Sequence, residues 1–441
     1  MVETGKRDKQ REGGEKSILV GVTFPDDPDS HEHPLDELGR LAETAGAEEV
    51  GRVVQRRSRP DPSTFLGKGK AEEVAELARE TGATLIITNA DLSPAQLRNL
   101  ERILDIRVID RTELILDIFA LHARTHQAKL QVELAQAQYI LPRLRRMWTH
   151  LSREGGGGQS AAIGSRGPGE KQIEIDRRLL RKRISDLKRE LEEISKRRER
   201  MASSRDSYFK ISLVGYTNAG KSTLLRGLTG RDAYIADQLF ATLDTQTRAW
   251  TLGNGKRVFL SDTVGFIRNL PHNLVASFYA TLEEVRVADL ILHVVDGSHP
   301  DAALHMEAVE TVLKELDVPD TPRILVLNKM DRVEDRLGMR LLGHGEGPSA
   351  CVSAHSGEGI DELTHLVERH IRATQSEIEY AIPVSEGRLL AWLADRGTVV
   401  HRDYDRDDGT VAVRVRLGAA DLARADRMVA ALTNGSHGAS E

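Results

Sequence analysis

The sequence has a single cysteine, Cys351, among 441 residues, so no internal disulfide can form and the chain suits a reducing, cytoplasmic compartment. Cys351 lies in a short apolar run and reads as core. No apolar stretch approaches the ~18 residues that a membrane-spanning helix needs, which argues against integral membrane contact. The segment from Met1 to Lys16 is charged and lacks the apolar centre of a secretion signal, and residues 1–16 read as a disordered tail. Outside the segment taken up below there is no Cys/His cluster and no paired acid–base motif, so a second catalytic centre has no candidates.

Hydrophobic residues make up 39% of the chain and charged residues 29%, a balance that builds buried cores in a soluble protein. The net charge of −6 is unevenly spread: residues 143–205 hold 18 Lys/Arg against 9 Asp/Glu, which leaves −15 on the remainder. Basic arms on acidic bodies commonly meet nucleic acid phosphates, although many are only solvated helix faces.

Residues 17–125 alternate strand-like runs (18–22, 50–54, 84–87, 107–109) with helix-like runs (34–45, 70–81, 93–104), the pattern of a small α/β domain around a mainly parallel sheet. Its basic turn Phe65-Leu66-Gly67-Lys68-Gly69-Lys70 reads as an ordinary loop before a helix or as a phosphate contact. Residues 126–205 carry two heptad seams. Leu130, Leu134, Ala137, Leu141, Leu144, Trp148 and Leu151 form the first, and Leu180, Ile184, Leu187, Leu191 and Ile194 the second. Pro142 should kink the first helix. Glycine is too dense at about residues 154–170 to hold helix or strand, so the simplest structure is a long antiparallel helical hairpin with a mobile, arginine-bearing tip. Arg145, Arg146, Arg166, Arg177 and Arg178 are its candidate RNA-phosphate contacts. Residues 206–375 again alternate strands and helices, as a doubly wound sheet does, and residues 376–441 form a small α/β C-terminal domain without evident chemistry.

The chemistry sits in residues 206–375. Gly215-Tyr216-Thr217-Asn218-Ala219-Gly220-Lys221-Ser222, followed by Thr223, stands between an apolar strand and a helix, the context that makes G-x-x-x-x-G-K-[ST] a phosphate cradle. The glycines let successive N–H groups point at one anion, Lys221 brings a charge to the outer phosphates, and Ser222 offers a hydroxyl to Mg²⁺. Asp262-Thr263-Val264-Gly265 follows a strand. There Asp262 can hold Mg²⁺ through water and the Gly265 N–H can sense a γ-phosphate. Thr242, between these elements, can complete the Mg²⁺ shell when its loop folds over the ion. Asn328-Lys329-Met330-Asp331 and Ser353-Ala354-His355 also follow strands. Asp331 can accept from guanine N1–H and its 2-amino group, and the second segment can place a backbone N–H on the guanine oxygen; adenine would leave the carboxylate unpaired. In this order at strand ends, the elements specify GTP/GDP binding. Lys221, Thr242 and Gly265 are the residues expected to act on the γ-phosphate.

These residues carry a resemblance to a known family. The phosphate loop through Thr223 is similar to that of translation-type GTPases. So are Leu239-Phe240-Ala241-Thr242-Leu243-Asp244 and Asp262-Thr263-Val264-Gly265-Phe266-Ile267. With Gly164-Ser165-Arg166-Gly167-Pro168-Gly169-Glu170-Lys171-Gln172, which generic GTPases lack, the set resembles HflX, a family of bacterial ribosome-associated GTPases within the Obg–HflX group, over about residues 17–375, with the C-terminal domain a further candidate. The resemblance implies a factor that binds the large ribosomal subunit and its RNA in the GTP state, acts as a monomer, and dissociates or rescues stalled ribosomes under stress. It implies Mg²⁺ as cofactor. Asn218 occupies a position that contacts a potassium ion in potassium-stimulated relatives, or else it only stabilises the loop. Many GTPases carry glutamine directly after the D-x-x-G glycine; here Phe266 stands there, which predicts slow intrinsic hydrolysis that the ribosome accelerates. The alternative reading is a GTP-controlled RNA-binding or subunit-assembly module with little turnover of its own.

Overall fold

The computed structural model describes residues 14–25, 33–144, 168–202, 208–230, 246–253, 255–268, 284–315, 318, 321–336, 338–339, 347–404 and 409–435. The first sheet has four parallel strands in the order β2-β1-β3-β4: β1 (Glu15–Thr23), β2 (Ala47–Arg56), β3 (Leu85–Thr88) and β4 (Arg107–Ile109). β1 is central, and its run from Ile18 to Val22 is apolar because both faces are covered there. Leu19 points into one core with α1 (Asp36–Thr44), while Ile18, Val20 and Val22 point into another with α2 (Lys68–Thr81) and α3 (Pro94–Leu104). Glu15 and Lys16 pair with Ala47 and Glu48 on β2, so the tail expected over residues 1–16 is too long by these two. Two polar side chains can be spent on the sheet here because they sit at the exposed start of the strand.

Helix α4 (Arg111–His122) is absent from the sequence reading. Leu114, Ile115, Leu116, Ile118 and Phe119 are all buried, so no 3.6-residue stripe marks it. Its start is marked by Asp110, whose carboxylate caps the Glu113 N–H at 2.9 Å.

The hairpin consists of α5 (His126–Ile140) and α6 (Pro168–Ala202). His126 meets Glu190 at 3.0 Å and Glu133 meets Arg183 at 2.6 Å, so position rises in one helix as it falls in the other. Leu130, Leu134 and Leu187 fill the seam, flanked by Ile184, Leu191 and Ile194. At Pro142 the α-helix tightens into a 3₁₀ turn over Leu141–Arg143. The hairpin is not freestanding: Ala128, Val132 and Ala135 on the opposite face of α5 join the core that holds α1 and α4. Pro168, Gly169 and Glu170 belong to the first turn of α6, where proline's missing N–H costs nothing, so the glycine tip is shorter at this end than composition predicts. The rest of that tip lies outside the described residues.

The nucleotide-domain sheet runs β10-β9-β8-β5-β7-β6. Its strands are β5 (Lys210–Gly215), β6 (Gln246–Thr251), β7 (Arg257–Asp262), β8 (Leu290–Asp296), β9 (Arg323–Asn328) and β10 (Ser349–Cys351), all parallel except the edge strand β6. Helices α7 (Lys221–Thr229), α8 (Ala302–Glu315) and α9 (Ile360–Ala373) cover it. The C-terminal domain is a three-stranded antiparallel sheet, β11 (Ser376–Pro383), β13 (Thr410–Leu417) and β12 (Thr398–Asp403), packed on α10 (Gly387–Arg396) and α11 (Ala419–Gly435).

The N-terminal and nucleotide domains share one core. Tyr216, Val264 and Ile267 pack among Leu114, Ile115 and Ile118. Arg111 donates at 3.0 Å to both Glu37 and the Arg268 carbonyl, and Tyr216 donates its hydroxyl to Glu37. Burial alone would raise the Glu37 carboxyl; the Arg111 guanidinium and the Tyr216 hydroxyl hold it below its usual range. Replacing Arg111 with Met should therefore lower stability by roughly 3–5 kcal/mol by leaving a buried carboxylate without its cation, measurable as a lower urea midpoint; Glu37→Gln/Arg111→Met together should recover part of the loss.

His293, on β8, is 3% exposed, and burial pushes its imidazole down to about 4, against the opposing pull of Glu310. Between about pH 6.5 and 4 the unfolded chain binds a proton there that the folded chain does not, so stability falls as pH drops through that window, by up to about 3 kcal/mol. His293→Gln should lose less stability than wild type when denaturation is compared at pH 7 and pH 5.

Candidate functional site

The site lies at the C-terminal ends of β5, β7, β9 and β10, where an open parallel sheet leaves a crevice. The phosphate loop leaves β5 at Gly215, where a side chain would collide with the Val294 carbonyl of β8. Gly220 has φ +90° and lies against Asn328 Nδ2, and Asn218 is itself left-handed at φ +61°. The loop thus delivers the chain directly into α7, whose first residue is Lys221 and whose N-terminal end is of the kind that binds phosphate.

Lys221 is 7% exposed and donates Nζ to the carbonyls of Gly215 at 3.0 Å and Tyr216 at 2.8 Å. Burial lowers its ammonium to about 8, with Asp262 pulling the other way. A desolvated cation of this kind is poised for an anionic ligand. Ser222 Oγ donates to Asp262 Oδ2 at 2.6 Å, which brings a hydroxyl and a carboxylate together as hard oxygen donors suited to Mg²⁺. Gly265 is packed so closely that a Cβ would come within 2.9 Å of Thr217 Cα and 3.0 Å of Lys221 Nζ. Its neighbour Phe266 is hydrogen-bonded to the phosphate loop on both sides, N–H to the Gly215 carbonyl at 3.1 Å and carbonyl from the Thr217 N–H at 2.7 Å.

A second half of the site forms beyond β9. Asn328, 1% exposed, donates to the Ala219 carbonyl at 2.8 Å and accepts from the Ala354 N–H at 3.0 Å. It therefore joins the phosphate loop to the segment Ser353-Ala354-His355. Lys329, at φ +61°, reaches Asp296 at 2.7 Å. Ser353 Oγ donates to Asp331 Oδ1 at 2.6 Å, and this bond, more than any other influence, holds the exposed Asp331 carboxyl below its usual range. His355 is exposed beside them.

The structure thus brings together Lys221, Ser222, Asp262 and Gly265 in one half and Asn328, Asp331, Ser353 and Ala354 in the other. Thr223 continues α7 behind Ser222. The side chains of Tyr216, Ala219, Val264 and Met330 are buried in apolar cores, and Thr263 bonds the Leu213 carbonyl at 2.7 Å, so only their backbone is available to a ligand. Phe240, Ala241, Thr242, Leu243 and Asp244 lie outside the described residues, as do Arg145, Arg146 and Arg166. On α6, Arg177 is half-buried and Arg178 exposed, far along the chain from the phosphate loop. Sequence reasoning misses Asp296, which the D-G-S ending of β8 signals, and Glu37 and Arg111, which have no local signal because they belong to another domain.

Family models match one after another along the chain: a GTP-binding GTPase N-terminal region over residues 32–120, a GTP-binding GTPase middle region over 122–205, a 50S ribosome-binding GTPase over 210–329 and an HflX C-terminal domain over 343–438. The last of these carries the resemblance beyond residue 375. The GTPase HflX of Escherichia coli (strain K12) is 44% identical over 416 residues, covering 94% of this chain and 96% of the relative. The GTPase HflX of Caldanaerobacter subterraneus subsp. tengcongensis is 43% identical over 93% of this chain and 92% of its own length, and that of Flavobacterium psychrophilum 48% identical over 81% and 91%. Similarity at this level across all four segments means that the chain belongs to the HflX family of GTPases.

Proposed function

We propose that this chain hydrolyses GTP to GDP and phosphate, that in its GTP state it binds the large ribosomal subunit and dissociates or rescues stalled ribosomes, and that hydrolysis resets it for release. The observation that carries the enzymatic reading is the convergence at one sheet edge of a buried lysine, a hydroxyl–carboxylate pair and a second cluster suited to guanine. The ribosomal reading is supported by the description of the matched domain as a 50S ribosome-binding GTPase and by the basic helix α6, which carries Arg177 and Arg178. Among the described residues no helix is long and apolar enough to cross a membrane. On this reading the chain works beside ribosomes in the cytoplasm, as a monomer.

In this mechanism water attacks the γ-phosphorus, the bond to the β–γ bridging oxygen breaks, and GDP leaves with the electron pair. Lys221 and the N-terminal N–H groups of α7 balance the phosphate charge, and the Gly265 N–H donates to a γ-phosphate oxygen. Ser222, Thr242 and, through water, Asp262 would hold Mg²⁺, which when bound neutralises charge on the β- and γ-phosphates. Asp331 and a backbone N–H of Ser353-Ala354-His355 read guanine. Asn218 would be the residue to meet a potassium ion, and otherwise serves only to shape the loop. Phe266, 2% exposed, is packed against Val214, Val285 and Val309, so its side chain offers nothing to orient the attacking water. Intrinsic turnover is accordingly slow until ribosome contact orders the catalytic loops.

Calorimetry should show GDP binding well above ADP, and Asp331→Ala should cost GDP about 10- to 100-fold in affinity, the loss of hydrogen bonds to a charged group; equal binding of the two nucleotides by wild type would remove the guanine assignment. In sedimentation with separated ribosomal subunits, the chain should pellet with large subunits when a non-hydrolysable GTP analogue is present and stay in the supernatant with GDP. Large subunits should raise the turnover rate, and deletion of residues 155–169 should reduce pelleting; unchanged pelleting would move the main contact off the glycine tip.

A further inference from the structure

Arg336 belongs to no motif. It follows the 3₁₀ turn Met330–Arg332 and points back across it. One guanidinium nitrogen donates to Glu358 Oε1 at 2.6 Å; the other donates to Glu358 Oε2 at 3.2 Å and to the Met330 carbonyl at 3.3 Å. Met330 lies between Lys329 and Asp331, so this third bond lands on the backbone of the segment that carries the guanine-reading carboxylate.

Glu358 is tied to the other base-reading segment. Its carbonyl accepts the Ser353 N–H at 2.9 Å, and its own N–H reaches Ser356 Oγ at 3.4 Å. Ser353 in turn bonds Asp331 through Oγ and accepts the Gly357 N–H at 2.8 Å. The next residue, Gly359, is left-handed at φ +76° and abuts the Cys351 carbonyl, which leaves this tight turn little room to drift. The Arg336–Glu358 fork therefore joins the backs of two segments that β9 and β10 deliver separately.

We propose that Arg336 and Glu358 are a positioning pair for base discrimination: together they set the spacing between Asp331 and the backbone of Ser353-Ala354-His355, so that a guanine can meet both segments at once. The inference rests on the guanine-nucleotide reading of the site. At 52% and 47% side-chain exposure the pair contributes little to folding, because solvent screens it. Its geometry is its value. A planar guanidinium held at two carboxylate oxygens and a carbonyl fixes angle as well as distance. Selectivity among bases in turn depends on donors and acceptors being in place simultaneously. The side-chain bonds of Arg336 run to Glu358 and Met330, outside the residues that would hold the phosphates.

The test uses the full chain with GDP, IDP and inorganic tripolyphosphate as probes, in Arg336→Met, Glu358→Gln and the reversal Arg336→Glu/Glu358→Arg. IDP lacks the 2-amino group that Asp331 would accept. Each single variant should melt within about 2 °C of wild type, bind GDP about two- to fivefold more weakly, and show a GDP:IDP affinity ratio reduced by a similar factor. Tripolyphosphate affinity should not change, and the reversal, which remakes the ion pair but leaves the Met330 carbonyl without its donor, should restore the ratio only in part. A GDP:IDP ratio that stays at the wild-type value in both single variants overturns the positioning role, as does a parallel fall for GDP and tripolyphosphate. Wild type that binds ADP as well as GDP overturns the site's guanine reading itself, a result visible before any variant is made.

Discussion

Two backbone hydrogen bonds carry this molecule: the Phe266 N–H to the Gly215 carbonyl and the Thr217 N–H to the Phe266 carbonyl. They fasten the phosphate loop to the segment after Asp262, and from this short ladder the side chains diverge. Phe266 enters the apolar core under α8, while Tyr216, Val264 and Ile267 enter the core shared with α1, α4 and α5. A segment gripped on both sides cannot shift without disturbing packing in one domain or the other, because interiors are dense and respond to small displacements.

The same ladder explains why the N-terminal domain sits where it does. Glu37 and Arg111 are anchored on the Tyr216 hydroxyl and on the Arg268 carbonyl, and Arg268 itself donates its N–H to Tyr216 at 2.8 Å. On its other side Tyr216 stacks on His305 of α8, with ring centroids 3.8 Å apart and planes inclined by 6°. The first variable residue of the phosphate loop is thus a structural rivet. Through linkage, whatever moves Gly265 is felt at α1 and α4, and whatever repositions those helices is felt at Gly265. The hairpin shares in this, since one face of α5 lies in that common core and the other holds α6. The base-reading half is built differently: Asn328 is its buried centre, and the half-exposed Arg336–Glu358 fork braces it from outside.

Much of the secondary structure is legible along the chain. β4 falls at residues 107–109 as expected, and α3 starts after Ser93, whose hydroxyl and Gln96 form a capping box. The unread parts have physical causes. α4 is apolar at almost every position from 114 to 121, the exposed Leu121 included, so the periodicity that betrays a surface helix is missing. The first turn of α6 contains proline and glycine, residues that usually mark loops but that a helix start tolerates. The heptad spacing through Leu141 and Leu144 continues past the end of α5 because a side-chain pattern does not register the 3₁₀ turn at Pro142.

By itself the sequence determined the chemistry of the site. A glycine loop between strand and helix, a strand-end aspartate and an N-K-x-D turn each take their shape from neighbouring residues, so each could be read where it stands. The tertiary structure decided what the site is joined to. Glu37 lies 179 positions from Tyr216 and Arg111 lies 157 from Arg268, and nothing local at either end announces the partner. Contacts over such separations exist only once the sheets have stacked and a common core has closed around them.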